Sequence, residues 1–148
     1  MSKDVKLPNI LLVEDNQMDA VMMVESTKQC NFANAVDHVP DGDEALDYLF
    51  QRGKYETQQR PGLIFLDLNL PGTDGFGVLK QIKEDEALKT IPVCILTSSE
   101  LEEDILRSYK MHANAFIPKP ISPDGFTDAF KAVKDFWSGI VAMPPTGH

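Results

Sequence analysis

The sequence is short of several things, and each shortage removes a class of function. Only two cysteines are present, Cys30 and Cys94, without the paired spacing of a zinc site or disulfide framework. Basic residues number 14 against 23 acidic ones, and no two of them adjoin; the net charge of −9 leaves no cationic face for nucleic acid. No apolar run approaches the length needed to span a bilayer. The first residues, Met1-Ser2-Lys3-Asp4-Val5-Lys6, lack the apolar core of a secretory signal. There is no G-x-x-x-x-G-K-[ST] motif for cradling nucleotide phosphates. Two thiols and no signal lead us to expect a reducing, cytoplasmic setting, with Cys94 serving as packing within an apolar run.

The hydrophobic fraction of 43% over 148 residues is enough for one real core. Short apolar runs alternate with stretches of helical spacing. Asn9–Val13 is an apolar run that ends in acid, and a helix is expected from about Gln17 to Gln29. Asn34–Val39 reads as a weak strand, followed by the Asp41-Gly42 turn and a helix carrying Ala45, Leu46, Leu49 and Phe50. Gly53–Pro61 is a long polar connection. Leu63–Leu66 has the unbroken apolar character of a strand buried on both faces. Pro71-Gly72 turns the chain, and Asp74 is placed to cap a helix bearing Phe76, Leu79 and Ile82. A strand at Ile91–Leu96, a short helix with Ile105, Leu106 and Tyr109, and a strand at Ala113–Ile117 follow. A last helix starts at Ser122 or Asp124 and carries Phe126, Phe130, Val133 and Trp137. The alternation predicts an α/β fold, a doubly wound parallel sheet of five strands with helices on both faces.

Four strands end in a reactive or polar group: Glu14-Asp15 after the first, Asp67 after the third, Thr97 after the fourth and Lys119 after the fifth. Ligands of open parallel sheets bind outside the carboxyl ends of the strands, so all of these groups are expected on one edge. Three clustered carboxylates repel unless a cation joins them. Oxygen donors without His or Cys favour magnesium or calcium, and magnesium commonly takes one or two carboxylates plus phosphate oxygens. Asp67 can act as a carboxylate nucleophile toward phosphorus, Lys119 can supply a second positive charge, and Thr97 can donate its hydroxyl to a phosphate oxygen. Each residue alone also has a plain reading, as a solvated acid, a strand-closing threonine or a surface lysine; their joint placement carries the expectation.

At these residues the sequence resembles the receiver domains of two-component response regulators, over roughly residues 9 to 138. The likeness rests on Ile10-Leu11-Leu12-Val13-Glu14-Asp15-Asn16, on Asp67-Leu68-Asn69-Leu70-Pro71 with Asp74-Gly75, on Leu96-Thr97-Ser98, and on Phe116-Ile117-Pro118-Lys119-Pro120. The resemblance implies the flavodoxin-like strand order 2-1-3-4-5. It implies Asp67 as phosphoacceptor, Glu14, Asp15, Asp67 and the Asn69 carbonyl as Mg2+ ligands, and Thr97 and Lys119 closing on the phosphoryl group. It implies a cis Lys119–Pro120 bond, slow self-dephosphorylation influenced by Asn69 and Ser99, and a switch aromatic at Phe116. Members with tyrosine there have a hydroxyl that Phe116 lacks.

The chain is similar, more narrowly, to the single-domain regulators of cyanobacterial phytochrome kinases. The long Gly53–Pro61 connection, Phe136-Trp137 and the apolar Ile140-Val141-Ala142-Met143 carry that likeness. It implies a light-sensing histidine kinase as donor. Residues 1–8 are expected to form an N-terminal arm, 9–138 the receiver domain and 139–148 a tail, with no output domain after it. Phe136, Trp137, Ile140 and Val141 exceed what one helix face hides, so a homodimer through the last helix and its extension is expected.

Other readings compete. A haloacid dehalogenase-type hydrolase needs a second Asp where Asn69 stands, and a flavodoxin-like electron carrier needs a hydroxyl-rich loop after the first strand. A receiver fold used only for docking would not need the intact set of acids, Thr97 and Lys119.

Overall fold

In the computed structural model the described backbone covers residues 7–29, 33–97, 102–119 and 122–139. It forms β1 (Leu7–Val13), α1 (Gln17–Gln29), β2 (Ala33–Val39), α2 (Gly42–Leu49), β3 (Leu63–Leu66), α3 (Gly75–Glu84), β4 (Val93–Thr97), α4 (Glu102–Lys110), β5 (Ala115–Pro118) and α5 (Pro123–Gly139). The five strands make one parallel sheet in the order β2-β1-β3-β4-β5, as expected.

Strand alternation divides the core into two layers, because successive side chains leave a strand on opposite faces. Leu11, Val13, Ile64, Leu66, Val93 and Ile95 face α2 and α3, meeting Leu46, Leu49, Val78, Leu79 and Ile82. Ile10, Leu12, Leu63, Phe65, Cys94 and Leu96 face α1 and α5, meeting Ala20, Met23, Phe126 and Phe130. Phe65 and Phe130 bring their ring centroids to 4.8 Å. Side chains buried this fully contribute about 1.5–3 kcal/mol each. The Arg107 guanidinium of α4 lies 4.0 Å over the Phe76 ring of α3, which ties α4 to the α2–α3 face.

Helix starts follow from their caps. Asp41 accepts from the Glu44 N–H at 2.7 Å, and Asp74 from the Gly77 N–H at 2.9 Å. Ser122 accepts from the Gly125 N–H at 3.1 Å, so Ser122 rather than Asp124 caps α5. The long connection between α2 and β3 contains one turn of 3₁₀ helix, Gly53–Tyr55. Its Tyr55 hydroxyl donates to Glu44 at 3.1 Å.

Two strands begin later than their apolar runs. Pro92 has no N–H for the ladder, so β4 begins at Val93, whose N–H donates to the Asn114 side chain at 2.9 Å. Ala113 and Asn114 close the turn after α4, through bonds from their N–H groups to the Ser108 and Val93 carbonyls, and β5 begins at Ala115. No helix among the described residues is long and apolar enough to cross a membrane.

Candidate phosphoryl-acceptor and metal site

β1 lies between β2 and β3, so the connections leaving β1 and β3 go to opposite faces and open a crevice at their carboxyl ends. Backbone bonds carry the ladder one residue past each strand and so fix the acids. The Glu14 N–H donates to the Val39 carbonyl at 3.1 Å, and the Asp67 N–H to the Val13 carbonyl at 3.1 Å. Both acids are buried, Glu14 to 1% and Asp67 to 4% exposure. Such groups need partners in place of water.

Lys119, directly after β5, supplies the main one. Its ammonium lies 2.6 Å from Glu14 Oε1, 2.9 Å from Asp67 Oδ2 and 2.9 Å from Asp19 Oδ2, with only 9% of its side chain exposed. Burial opposes the lysine's charge, but attraction to Asp67, Glu14 and Asp19 outweighs it and raises its pKa. Asp67 Oδ1 accepts from the Asn69 N–H at 2.9 Å, which curls the loop after β3. Glu14 Oε2 accepts from the Asn16 N–H at 3.1 Å, and the Glu14 carbonyl lies 2.6 Å from His38 Nε2. Burial pushes the Glu14 carboxyl up to about 7; Lys119 pulls it down and negative Asp67 pushes it up again.

Gly75 completes the loop. Its N–H donates to the Leu68 carbonyl at 3.0 Å. A Cβ there would stand 2.3 Å from the Asp67 carbonyl oxygen, so α3 can start this close to the acceptor strand only at glycine.

The acids suit a divalent cation. Glu14, Asp15 and Asp67 each offer a carboxylate oxygen, all within 4.8 Å of one another. Oxygens sharing a small octahedral ion lie about 3.0 Å apart when cis and about 4.2 Å apart when trans, so an ion would draw the three acids closer together than they now stand. Glu14 Oε1 is buried without an aligned hydrogen bond, even though the Lys119 ammonium lies close by. A cation would satisfy that oxygen and displace the proton that burial favours.

The expected residues thus meet at one edge. Glu14, Asp15 and Asp67 are in mutual reach, Lys119 contacts Glu14 and Asp67, and Asn69 bonds Asp67 through its N–H. Thr97 closes β4 in register with Pro118, next to Lys119, although its side chain lies outside the described residues. Phe116 is partly buried against the α2–α3 core. Ser99, Pro120, Ile140 and Val141 lie outside the described residues, as do the side chains of Phe136 and Trp137 within α5. Asp19 and His38 were not anticipated. An acid in the first turn of a helix ordinarily reads as a macrodipole partner, and only the fold shows what it touches.

Residues 10–131 match the model of the response regulator receiver domain. The chain belongs to the response regulator receiver family. It is 38% identical over 135 residues to response regulator Rcp1 of Synechocystis sp., covering 91% of this chain and 92% of that protein. Among solved structures, this receiver resembles the phosphorylated cyanobacterial phytochrome response regulator RcpA, with a TM-score of 0.87, 40% identity and coverage of 93% and 99%. It also resembles the Mn2+-bound form of Rcp1, with a TM-score of 0.85, 38% identity and the same coverage.

Proposed function

We propose that the chain is a phosphorylation-controlled switch that accepts a phosphoryl group on Asp67 from the phosphohistidine of a sensor kinase. The observation that carries this reading is the buried Glu14–Lys119–Asp67 group with Asp15 at its mouth. An Asp67 carboxylate oxygen attacks phosphorus as the bond to the donor's imidazole nitrogen breaks, and the electron pair leaves with the imidazole. Lys119 stays beside the transferred group and offsets its charge. Glu14, Asp15, Asp67 and the Asn69 carbonyl would hold a divalent ion, which we assign as Mg2+; when bound, it neutralises charge on the phosphoryl oxygens. Thr97 donates to a phosphoryl oxygen, and Phe116 repacks in response, so that the surface of α4, β5 and α5 carries the signal. The chain catalyses its own phosphorylation and its slow dephosphorylation, and does no other chemistry.

The likeness to RcpA and Rcp1 supports a phytochrome-type histidine kinase as donor. It also supports a cytoplasmic setting. We assign the receiver to residues 9–138, flanked by an arm at 1–8 and a tail at 139–148. We further propose a homodimer through Phe136, Trp137, Ile140 and Val141. Incubation with Mg2+ and a small phosphodonor, then with a phosphorylated phytochrome kinase, tests the reading. Intact mass should rise by one phosphoryl group, and Asp67→Asn should abolish the rise. No rise with either donor would leave a docking module in its place.

A further inference from the structure

Lys119 has three N–H bonds and three carboxylates around it, and one of the three takes no part in the chemistry above. Asp19 lies in the first turn of α1, its side chain one-quarter exposed, with Oδ2 2.9 Å from Lys119 Nζ. It does not need Lys119 to hold its place. The Asp19 N–H donates to Asn16 Oδ1 at 3.0 Å, so the helix start fixes its backbone independently. Lys119, on its long stem, is the adaptable partner. Charge counting separates Asp19 from the other acids. Lys119 and one divalent ion together balance Glu14, Asp15 and Asp67, and Asp19 is the surplus negative charge.

We propose that Asp19 is a positioning residue that competes with the acceptor site for Lys119 and so weakens the hold of the site on a dianionic phosphoryl group at Asp67. The inference rests on Asp67 being the acceptor. Two effects act in the same direction. Asp19 draws the ammonium partly toward α1, away from the transferred group. It also places a negative charge across Lys119 from the new dianion, since Asp19 Oδ2 and Asp67 Oδ2 each lie 2.9 Å from the same ammonium, in a crevice where water screens poorly. The same charge works the other way on a cation, which the site holds more firmly with Asp19 present. Asp19 thus biases the switch toward the metal-bound, unphosphorylated state.

The opposed signs give a test that a loss of packing cannot imitate. Affinity for beryllofluoride, a phosphoryl mimic, is measured in saturating Mg2+ by ¹⁹F NMR titration. Affinity for Mn2+ alone is measured by its paramagnetic resonance. Asp19→Asn keeps an acceptor for Lys119 and removes the charge. It should tighten beryllofluoride on the order of fivefold, as expected for one partly screened charge. It should weaken Mn2+ by a few-fold. Asp19→Ala removes the acceptor as well and should shift both affinities in the same directions, whereas Asp19→Glu should restore both toward wild type. Weakening of both ligands by Asp19→Asn, or an unchanged beryllofluoride affinity, would overturn the proposal. Failure of the wild type to take beryllofluoride while it binds Mn2+ would remove the acceptor reading, and this inference with it.

Discussion

The Tyr109 hydroxyl accepts the backbone N–H of Phe116 at 3.2 Å, tying α4 to the edge strand β5 at the residue expected to act as the switch. Phe116 has no hydroxyl of its own, so Tyr109 supplies the polar contact at this edge from the neighbouring helix. Tyr109 is half exposed, and water can replace it as acceptor. Tyr109→Phe should therefore cost only about 0.5–1 kcal/mol in urea unfolding. Its clearer mark should be faster hydrogen exchange at the Phe116 amide with little change elsewhere. An unchanged exchange rate would mean that the contact does not persist in solution.

Lys119→Met should have two separable effects. Glu14 and Asp67 lose their shared cation while buried, a loss typically of about 3–5 kcal/mol. Thermal denaturation in chelator should show this, and added Mg2+ should recover part of it, because the ion takes over the acids. Phosphorylation by a small donor should slow on the order of a hundredfold, since the developing charge loses its nearest fixed partner. Recovery of stability without recovery of rate is the expected pattern.

Gly75→Ala should damage the site through the backbone. The new Cβ meets the Asp67 carbonyl and Leu68 Cα at 2.3 and 2.5 Å, neither of which can rotate away. Overpacking of this kind costs about 1–3 kcal/mol. Metal affinity should fall along with stability, because relief requires moving the acceptor strand end. A variant that melts early but binds Mn2+ normally would contradict the placement of Gly75 against that strand.

Stability should decline at alkaline pH. Burial pushes the Cys94 thiol up to about 12, from an ordinary value near 9. The folded state therefore holds this proton more tightly than the unfolded chain does. The associated stability is full below about pH 9 and is lost as pH rises toward 12. Tyr48 adds to the trend at higher pH, because burial and its bond to Asp37 both raise its hydroxyl. Urea unfolding at pH 8, 9.5 and 10.5 checks the slope, and Cys94→Ala should flatten its lower part.

The sheet and most of the site were legible because both rest on short-range signals. Leu63–Leu66 is apolar without a break since both faces of β3 are covered, and the run stops at Asp67 because the sheet edge begins there. Acids and a lysine at strand ends share an edge in any parallel sheet, so Glu14, Asp67 and Lys119 could be brought together without coordinates. Strand starts were less legible. Apolar residues at 91 and 113 continue the core but lie in connecting backbone, where Pro92 and the Asn114 side chain interrupt the ladder. Asp19 was invisible because its partner is 100 residues away, and an acid there already has a local explanation. His38 sits in a weak strand, and its contact with the Glu14 carbonyl depends on the β1–β2 register.

The central claim concerns one carboxylate, and chemical trapping reads it directly. Reduction of an aspartyl phosphate with borohydride converts that residue to homoserine, which peptide mass spectrometry locates. After treatment with phosphodonor and Mg2+, homoserine should appear at position 67, and nowhere in Asp67→Asn. Homoserine at position 15 or 19 instead, or at no position in a protein that binds Mn2+, would contradict the assignment of Asp67 as the acceptor.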